Sequence, residues 1–315
     1  MDFREFEYMI TVAEHRSVTR AAEELHISQP ALSRYIRSVE EALEVKLFDR
    51  STIPMSLTYA GERYIESARR ILMENNRFLK ELRDITQHMT GKLKIGTSHD
   101  RASYMIPQLL PPFLRTYPGI DVEVHTDSGQ RLTQALREGR IDLILLPATA
   151  ATQGKGRDSQ GLCAKRIYSE EIVLAARAEK VPGEALLSTG AIRPEALGGM
   201  DLFLMEQGHA ARAFCDSFFK SLGIRPRVSM EFVSNIGCYR MAAAGLGAAV
   251  IPFLTTQMTA AGGEVSLYSI GENGVTWDVM MYCREGEELG QPELELLRIA
   301  RELFADETLR GARVN

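Results

Sequence analysis

Hydroxyl, amide and guanidinium side chains recur at helical spacing between residues 28 and 37 of this 315-residue chain. Arg34 and Arg37 fall on one face of the predicted helix, and the leucine and isoleucine of the segment fall on the other. Arginine can donate to guanine edges and to phosphate oxygens, and the hydroxyl and amide groups supply further hydrogen bonds. The segment therefore predicts a recognition helix for the DNA major groove. The DNA-binding residues predicted on it are Ser28, Gln29, Pro30, Ser33, Arg34 and Arg37.

Two further helices and a wing are predicted around this segment. Asp2 and Glu5 fit a capping box for a first helix, and Ser17 is a candidate N-cap for a second. Small alanines in the second helix allow it to cross the third closely, as a helix-turn-helix requires. Residues 46–58 predict two short strands around a turn, in which Arg50 and Thr58 are the candidate DNA contacts.

Several short motifs follow one another at fixed spacing over about sixty positions without a gap. They are Ser17-Val18-Thr19, Ala21-Ala22, Ser28-Gln29-Pro30-Ala31-Leu32-Ser33, Leu47-Phe48 and Leu57-Thr58-x-Ala60-Gly61. Together they resemble the N-terminal signature of LysR-type transcriptional regulators. The resemblance implies a winged helix-turn-helix domain, a linker helix and an effector domain. It also implies double-stranded promoter or operator DNA, a small-molecule effector, further copies of the chain and RNA polymerase as partners.

Two positions depart from the pattern of that family. Glu44 stands where the family usually has glycine, which predicts a differently shaped turn before the wing. Ile53 and Pro54 stand where basic residues are usual, which predicts fewer phosphate contacts and leaves Arg50 as the main cation of the wing.

The charge of the chain is acidic, with a formal net charge of −5. Residues 1–60 hold seven Lys or Arg and ten Asp or Glu, so no broad basic surface announces nucleic acid. Residues 28–38, however, contain Arg34 and Arg37 and no acidic residue. The positions of the charges therefore favour DNA binding, although one such module alone would bind weakly and two together would bind tightly.

A long helix is predicted over residues 59–89, which contain no proline and only Gly61 as glycine. A helix of this length spans about 45 Å. Its apolar residues form a seam at alternating steps of three and four, and a second apolar line runs seven residues apart. The helix either lies on the core of its own chain or links two chains into a dimer, and the preceding motifs favour the dimer. The seam is Ile65, Ala68, Leu72, Asn75, Leu79, Leu82, Thr86 and Met89, and the second line is Ile71, Phe78 and Ile85.

Strand and helix patterns alternate after Gly91 and predict largely parallel sheets covered by helices. We expect two Rossmann-like lobes of the periplasmic-binding-protein type, with crossings near residues 163–166 and 265–270. The predicted boundaries are 1–58 for the winged helix-turn-helix, 59–90 for the linker helix, 91–163 with 268–304 for lobe 1, 164–267 for lobe 2 and 305–315 for a tail.

A small-molecule site is predicted where strands end and helices begin, facing the cleft between the lobes. Free N–H groups at helix starts attract anions and carbonyl oxygens. Ordinary N-capping explains any one of these residues equally well, and only their convergence across a hinge favours a site. The predicted effector-binding residues are Thr97, Ser98, Thr126, Ser128, Gln207, His209 and Ser234.

Other classes of protein are disfavoured by the sequence. The longest apolar run, residues 242–254, is too short to span a bilayer, and no secretion signal is evident, so a cytoplasmic protein is expected. The cysteines are expected to be reduced, the histidines are scattered, and the usual catalytic motifs are missing. We therefore expect no enzyme activity, no metal site and no cofactor. The preferred interpretation is a DNA-binding regulator with an effector domain, and the alternative is a ligand-binding protein with a vestigial helix-turn-helix.

Overall fold

The computed structural model describes residues 3–86, 90–148, 161–259, 264–287 and 289–305, which belong to two compact units divided between residues 87 and 88. Asp2 of the predicted capping box, Met89 of the predicted seam and residues 306–315 of the predicted tail lie outside the described residues.

The N-terminal unit contains the three predicted helices, the wing and the long helix. Ser17 and Ser28 are N-caps as predicted, because their hydroxyls accept hydrogen bonds from the backbone N–H of Arg20 and Ala31, each at 3.4 Å. The core is one cluster to which every helix and the wing contribute. The elements are α1 (Phe3–His15), α2 (Val18–Glu24), α3 (Gln29–Ala42), β1 (Phe48–Asp49), β2 (Ser56–Leu57) and α4 (Tyr59–Thr86).

The turn before the wing corrects one expectation. Glu44 has φ of +53°, the left-handed conformation that glycine adopts without strain. The turn therefore has the shape that glycine favours, and a differently shaped turn was the wrong prediction. Gly61, by contrast, is required by close packing, since a Cβ there would lie 2.0 Å from the carbonyl oxygen of Leu47.

We expect Glu44→Gly to stabilise the N-terminal unit by up to about 1 kcal/mol, because the strain of a left-handed glutamate exceeds the entropy that glycine loses. Urea unfolding of the full chain measures this change. Glu41→Gly is the matched control, because Glu41 is exposed inside α3 and its replacement should cost about 1 kcal/mol. A lower midpoint for Glu44→Gly would contradict the strain argument.

The long helix α4 uses its two apolar lines differently. Ile65 and Ala68 of the seam are buried in the core of their own unit, and Leu72 packs partly against it. Ile71 and Phe78 of the second line are 43 % and 55 % exposed. The start of the seam therefore packs within the chain. The side chains of Leu79, Leu82, Ile85 and Thr86 lie outside the part that the structure describes.

The C-terminal unit is built on a mixed sheet covered by helices, and its described residues form nine strands in that sheet. The strand order is β4-β3-β5-β11-β6-β9-β7-β8, with β10 paired to β6. The elements are β3 (Gly91–Thr97), α5 (His99–Thr116), β4 (Ile120–Thr126), α6 (Gly129–Arg137), β5 (Leu143–Pro147), β6 (Leu162–Ala176), β7 (Asp201–Met205), α7 (Ala210–Ser221), β8 (Arg227–Phe232), α8 (Asn235–Ala243), β9 (Ala248–Pro252), α9 (Leu254–Met258), β10 (Ser266–Ser269), β11 (Val275–Arg284) and α10 (Gln291–Leu303).

Two parallel strand groups form the two predicted lobes. Lobe 1 contains β4, β3 and β5, and lobe 2 contains β8, β7 and β9. The long antiparallel strands β6 and β11 join them, so that both lobes share one continuous sheet. Parallel strands place their carboxyl ends at the same edge, where the helices of each lobe begin.

The return crossing lies later in the chain than residues 265–270, and that prediction is wrong. Residues 266–269 form β10, which pairs with residues 173–176 at the lobe 2 end of β6. The chain returns through β11 instead, which pairs with β6 along its whole length and with β5 of lobe 1. The strand pattern of residues 265–270 predicted a strand correctly but carried no information about its partner.

Candidate functional site

The exposed face of α3 presents the predicted recognition residues. Arg34 and Arg37 are exposed, and among the described residues neither guanidinium has a hydrogen bond or an ion pair. Leu32 and Ile36, on the opposite face, are fully buried. The hydrophobic burial of one face thus fixes the direction in which the two arginines project, and both are free to meet phosphates or base edges.

The other predicted residues of α3 are exposed or partly exposed beside the arginines. Ser28, Gln29 and Pro30 are exposed at the start of the helix. The side-chain amide of Gln29 donates to the Ser33 hydroxyl at 2.9 Å, which holds both groups on the same face as Arg34.

A buried carboxylate fixes the wing to α3. Glu40 is 3 % exposed and accepts hydrogen bonds from the backbone N–H of Leu47 at 2.8 Å and of Phe48 at 3.2 Å. Burial by itself raises the pKa of Glu40, but these two bonds and the ammonium of Lys46 outweigh it, so that the pKa is lowered. The carboxylate therefore stays ionised and positions the wing relative to the recognition helix.

Arg50 and Thr58 have different environments in the wing. Arg50 is exposed. The Thr58 hydroxyl donates to the carbonyl oxygen of Lys46 at 2.7 Å and accepts from the backbone N–H of Gly61 at 3.0 Å. The side chain predicted to bind DNA at residue 58 is thus engaged in capping α4.

A cavity of about 820 Å³ lies between the two lobes of the C-terminal unit. The amino ends of α5, α6, α7 and α8 open into it, so four positive helix ends converge there. The rest of the wall is largely apolar, with Met205, Leu254, Met258 and Trp277 among its residues. Such a site suits a small molecule with an acidic or carbonyl group and an apolar body.

Most of the predicted effector residues line this cavity, and two do not. Thr97 is fully buried and its hydroxyl donates to the carbonyl oxygen of Leu145 at 2.8 Å, so the expectation that it grips a ligand is corrected. Thr126 is absent from the residues that line the cavity. The residues that do line it are Ser98, Ser128, Gln207, His209 and Ser234.

The four helix ends differ in how their N–H groups are satisfied. The hydroxyls of Ser128 and Ser234 accept from backbone N–H groups of their own helices. Ser98 and His209 are the N-caps of α5 and α7, and neither makes a side-chain capping bond. The amino ends of α5 and α7 are therefore the ones left without a side-chain cap.

A buried polar network, which the sequence analysis missed, lies at the floor of the cavity. Arg101 donates to Glu170 at 2.8 Å and to the Tyr168 hydroxyl, and Trp277 donates to the same Glu170 oxygen at 2.6 Å. Burial lowers the pKa of Arg101, but Tyr168 and Glu170 outweigh it and raise the pKa. Arg101 and Trp277 also line the cavity. No sequence signal connects these residues, because α5, β6 and β11 meet only in the folded unit.

The cysteines and histidines of the described residues do not form a metal site. No group of three or more His, Cys, Asp or Glu side chains suited to a metal ion occurs there. Cys215 and Cys238 are buried, and burial raises the pKa of each thiol to about 12. Across the same part of the chain, every helix is too short or too polar to cross a membrane.

Two family models match the chain. A model described as "LysR substrate binding domain" covers residues 86–305, and one described as "Bacterial regulatory helix-turn-helix protein, lysR family" covers residues 3–62. The chain is 29 % identical over 256 residues to the hydrogen peroxide-inducible genes activator of Pectobacterium carotovorum subsp. carotovorum, with 81 % of each chain covered.

Solved structures show the same fold. Full-length OxyR from Pseudomonas aeruginosa has a TM-score of 0.70 at 24 % identity, covering 96 % of this chain and 98 % of that one. Full-length CbnR complexed with its target DNA has a TM-score of 0.61 at 23 % identity, covering 96 % and 99 %. With the two family models on the helix-turn-helix and on the cleft-bearing unit, the chain belongs to the LysR family of bacterial regulatory helix-turn-helix proteins.

Proposed function

We propose that this transcriptional regulator binds operator DNA as a dimer through α3 and changes its DNA binding when a small anion enters the cleft. The single observation that supports the sensor most is the pair of uncapped helix ends at Ser98 and His209, which face one cavity from opposite lobes. Acting on promoter DNA places the protein in the cytoplasm, beside RNA polymerase.

The acidic group of the effector is proposed to lie between α5 and α7. Ser98 donates its hydroxyl, Gln207 its amide, and the free N–H groups of both helices add their positive ends. The apolar body of the effector then lies against Met205 and Trp277. An effector that bridges the lobes changes their angle only if it binds one arrangement more tightly than the other.

Direct sensing of peroxide by the buried thiols is not proposed, although one relative is named a hydrogen peroxide-inducible activator. The thiolate is the reactive form of cysteine. The raised pKa values of Cys215 and Cys238, both about 12, leave almost no thiolate near neutral pH.

Ser98→Ala tests the sensor. A panel of acetate, benzoate, succinate, phosphate and glucose is screened by thermal unfolding, because a ligand that binds only the folded state raises Tm. We expect at least one carboxylate to stabilise the wild type, and Ser98→Ala to weaken it about fivefold, the equivalent of one hydrogen bond of about 1 kcal/mol.

Ser103→Ala is the matched control for this variant. The Ser103 hydroxyl donates to the His99 carbonyl oxygen at 3.0 Å on the same helix, and Ser103 lies outside the cavity lining. Equal binding of the stabilising carboxylate to wild type, Ser98→Ala and Ser103→Ala would move the proposed acid site away from α5.

A further inference from the structure

The carboxylate of Asp100 crosses the cleft and binds the opposite lobe. Asp100 lies in the first turn of α5 in lobe 1. It accepts hydrogen bonds from the Ser234 hydroxyl at 2.7 Å, from the backbone N–H of Asn235 at 2.8 Å and from the Asn235 side-chain amide at 3.3 Å. Ser234 and Asn235 begin α8, so a side chain of lobe 1 occupies the amino end of a helix in lobe 2.

This contact is the one that an acidic ligand would make. A carboxylate at a helix amino end is stabilised by free N–H groups and by the positive end of the helix dipole. Asp100 supplies that carboxylate from within the chain, and it does so across the lobes. Asp127, another carboxylate that lines the cavity, bonds only within its own lobe, to the N–H of Ser128 at 2.6 Å and to Arg131 at 3.5 Å.

We propose that Asp100 is an internal ligand that clasps the two lobes and determines specificity. Its carboxylate fills the anion position of α8 and leaves one open anion position, between α5 and α7. The cleft accordingly accepts ligands with one acidic group and rejects a second acidic group at α8. The specificity statement rests on the proposed sensor function, whereas the clasp itself does not.

Formate tests the clasp without any knowledge of the effector. Asp100→Ala removes only the carboxylate, and formate has the size and charge of the missing group. We expect Asp100→Ala to lower the Tm of the full chain by several degrees, and formate to restore part of this loss in a concentration-dependent manner. Chloride at equal ionic strength should restore none, and formate should leave the wild type unchanged.

Asp201→Ala is the matched control for the formate test. The Asp201 carboxylate also accepts from a serine hydroxyl, that of Ser229 at 2.8 Å, and from Arg227 at 2.8 Å, but Asp201 lies outside the cavity lining. Its Tm should not recover in formate. An unchanged Tm in Asp100→Ala, or an equal formate response in both variants and the wild type, would overturn the clasp.

Two further variants test whether Asp100 acts through α8. Asp100→Asn keeps the shape and one acceptor oxygen, so it should lose less Tm than Asp100→Ala and gain nothing from formate. Ser234→Ala added to Asp100→Ala should lower Tm little further, because both changes remove the same interaction. Tm losses that simply add would show that the two residues act separately and would contradict the clasp.

Butyrate and succinate distinguish the specificity statement from the proposed function. Wild type should be stabilised by the monocarboxylate butyrate and not by the dicarboxylate succinate, and Asp100→Ala should be stabilised by both. Failure of every carboxylate on the wild type, with formate still rescuing Asp100→Ala, would refute the proposed sensor function and the specificity while supporting the clasp. Binding of butyrate to the wild type without a gain of succinate binding in the variant would refute the specificity alone.

Discussion

Arg34→Ala is expected to weaken binding to operator DNA by about 1–3 kcal/mol, or about 5- to 150-fold, if Arg34 reads a base. The variant should fold normally, because Arg34 is exposed and the buried face of α3 is formed by Leu32 and Ile36. Titration of DNA by gel shift or fluorescence anisotropy, with operator and random duplexes at one salt concentration, measures the loss on each.

Arg63→Ala is the control for Arg34→Ala, since Arg63 is an exposed arginine of α4 that pairs with Glu66 instead. It should leave both affinities near wild type. Equal losses on operator and random DNA would assign Arg34 to a phosphate contact. Unchanged affinity on both would exclude the exposed face of α3 as the DNA surface.

Ile71→Glu combined with Phe78→Glu is expected to convert the dimer into monomers and to lower operator affinity by at least 100-fold. Both side chains are large, apolar and exposed on α4, seven residues apart. Two linked modules bind far more tightly than one, so loss of the dimer removes most of the affinity. Sedimentation velocity measures the assembly, and DNA titration measures the affinity.

The second apolar line gives a cleaner test than the seam that the sequence suggested. Leu72 packs partly against the core of its own unit, so Leu72→Glu would disturb folding as well as assembly. Arg63→Glu adds a glutamate to the same helix outside the apolar line and should leave the dimer intact. A dimer that survives Ile71→Glu with Phe78→Glu would place the subunit contact on another surface.

Local features of the fold were predictable because local residues cause them. Ser17 and Ser28 cap the helices that they precede, and the apolar face of α3 is buried as its spacing predicted. Most strands and helices of the C-terminal unit lie within a few residues of their predicted positions. The helix α5 is the main exception, since it begins at His99 instead of residue 103 and continues through Pro107, Pro111 and Pro112.

Features that depend on partners distant in the sequence were not predictable. The pairing of β10 with β6 moved the return crossing to β11, and the Leu145 carbonyl removed the Thr97 hydroxyl from the cleft. The bonds from Arg101 to Glu170 and from Ser234 to Asp100 join residues 69 and 134 positions apart. Their residue types predict that each side chain needs a partner, and only the fold decides which partner it finds.

The cleft and the DNA surface were predictable to different degrees. The recognition residues lie on one short helix, so helical spacing sufficed to place Arg34 and Arg37 on one face. The cleft draws Ser98, Ser128, Gln207, His209 and Ser234 from separate strand–helix junctions, and the rule that parallel strands end at one edge brought these together. That rule locates an edge of the sheet, and it does not decide whether an individual hydroxyl faces the cavity or the core.

Binding of the purified full-length chain to the DNA upstream of its own coding sequence tests the central claim most directly. We predict a retarded complex and a protected stretch in a footprint, at a protein concentration that leaves an unrelated duplex of equal length unbound at the same salt. Absence of any complex, or equal affinity for both duplexes, would contradict a sequence-specific regulator.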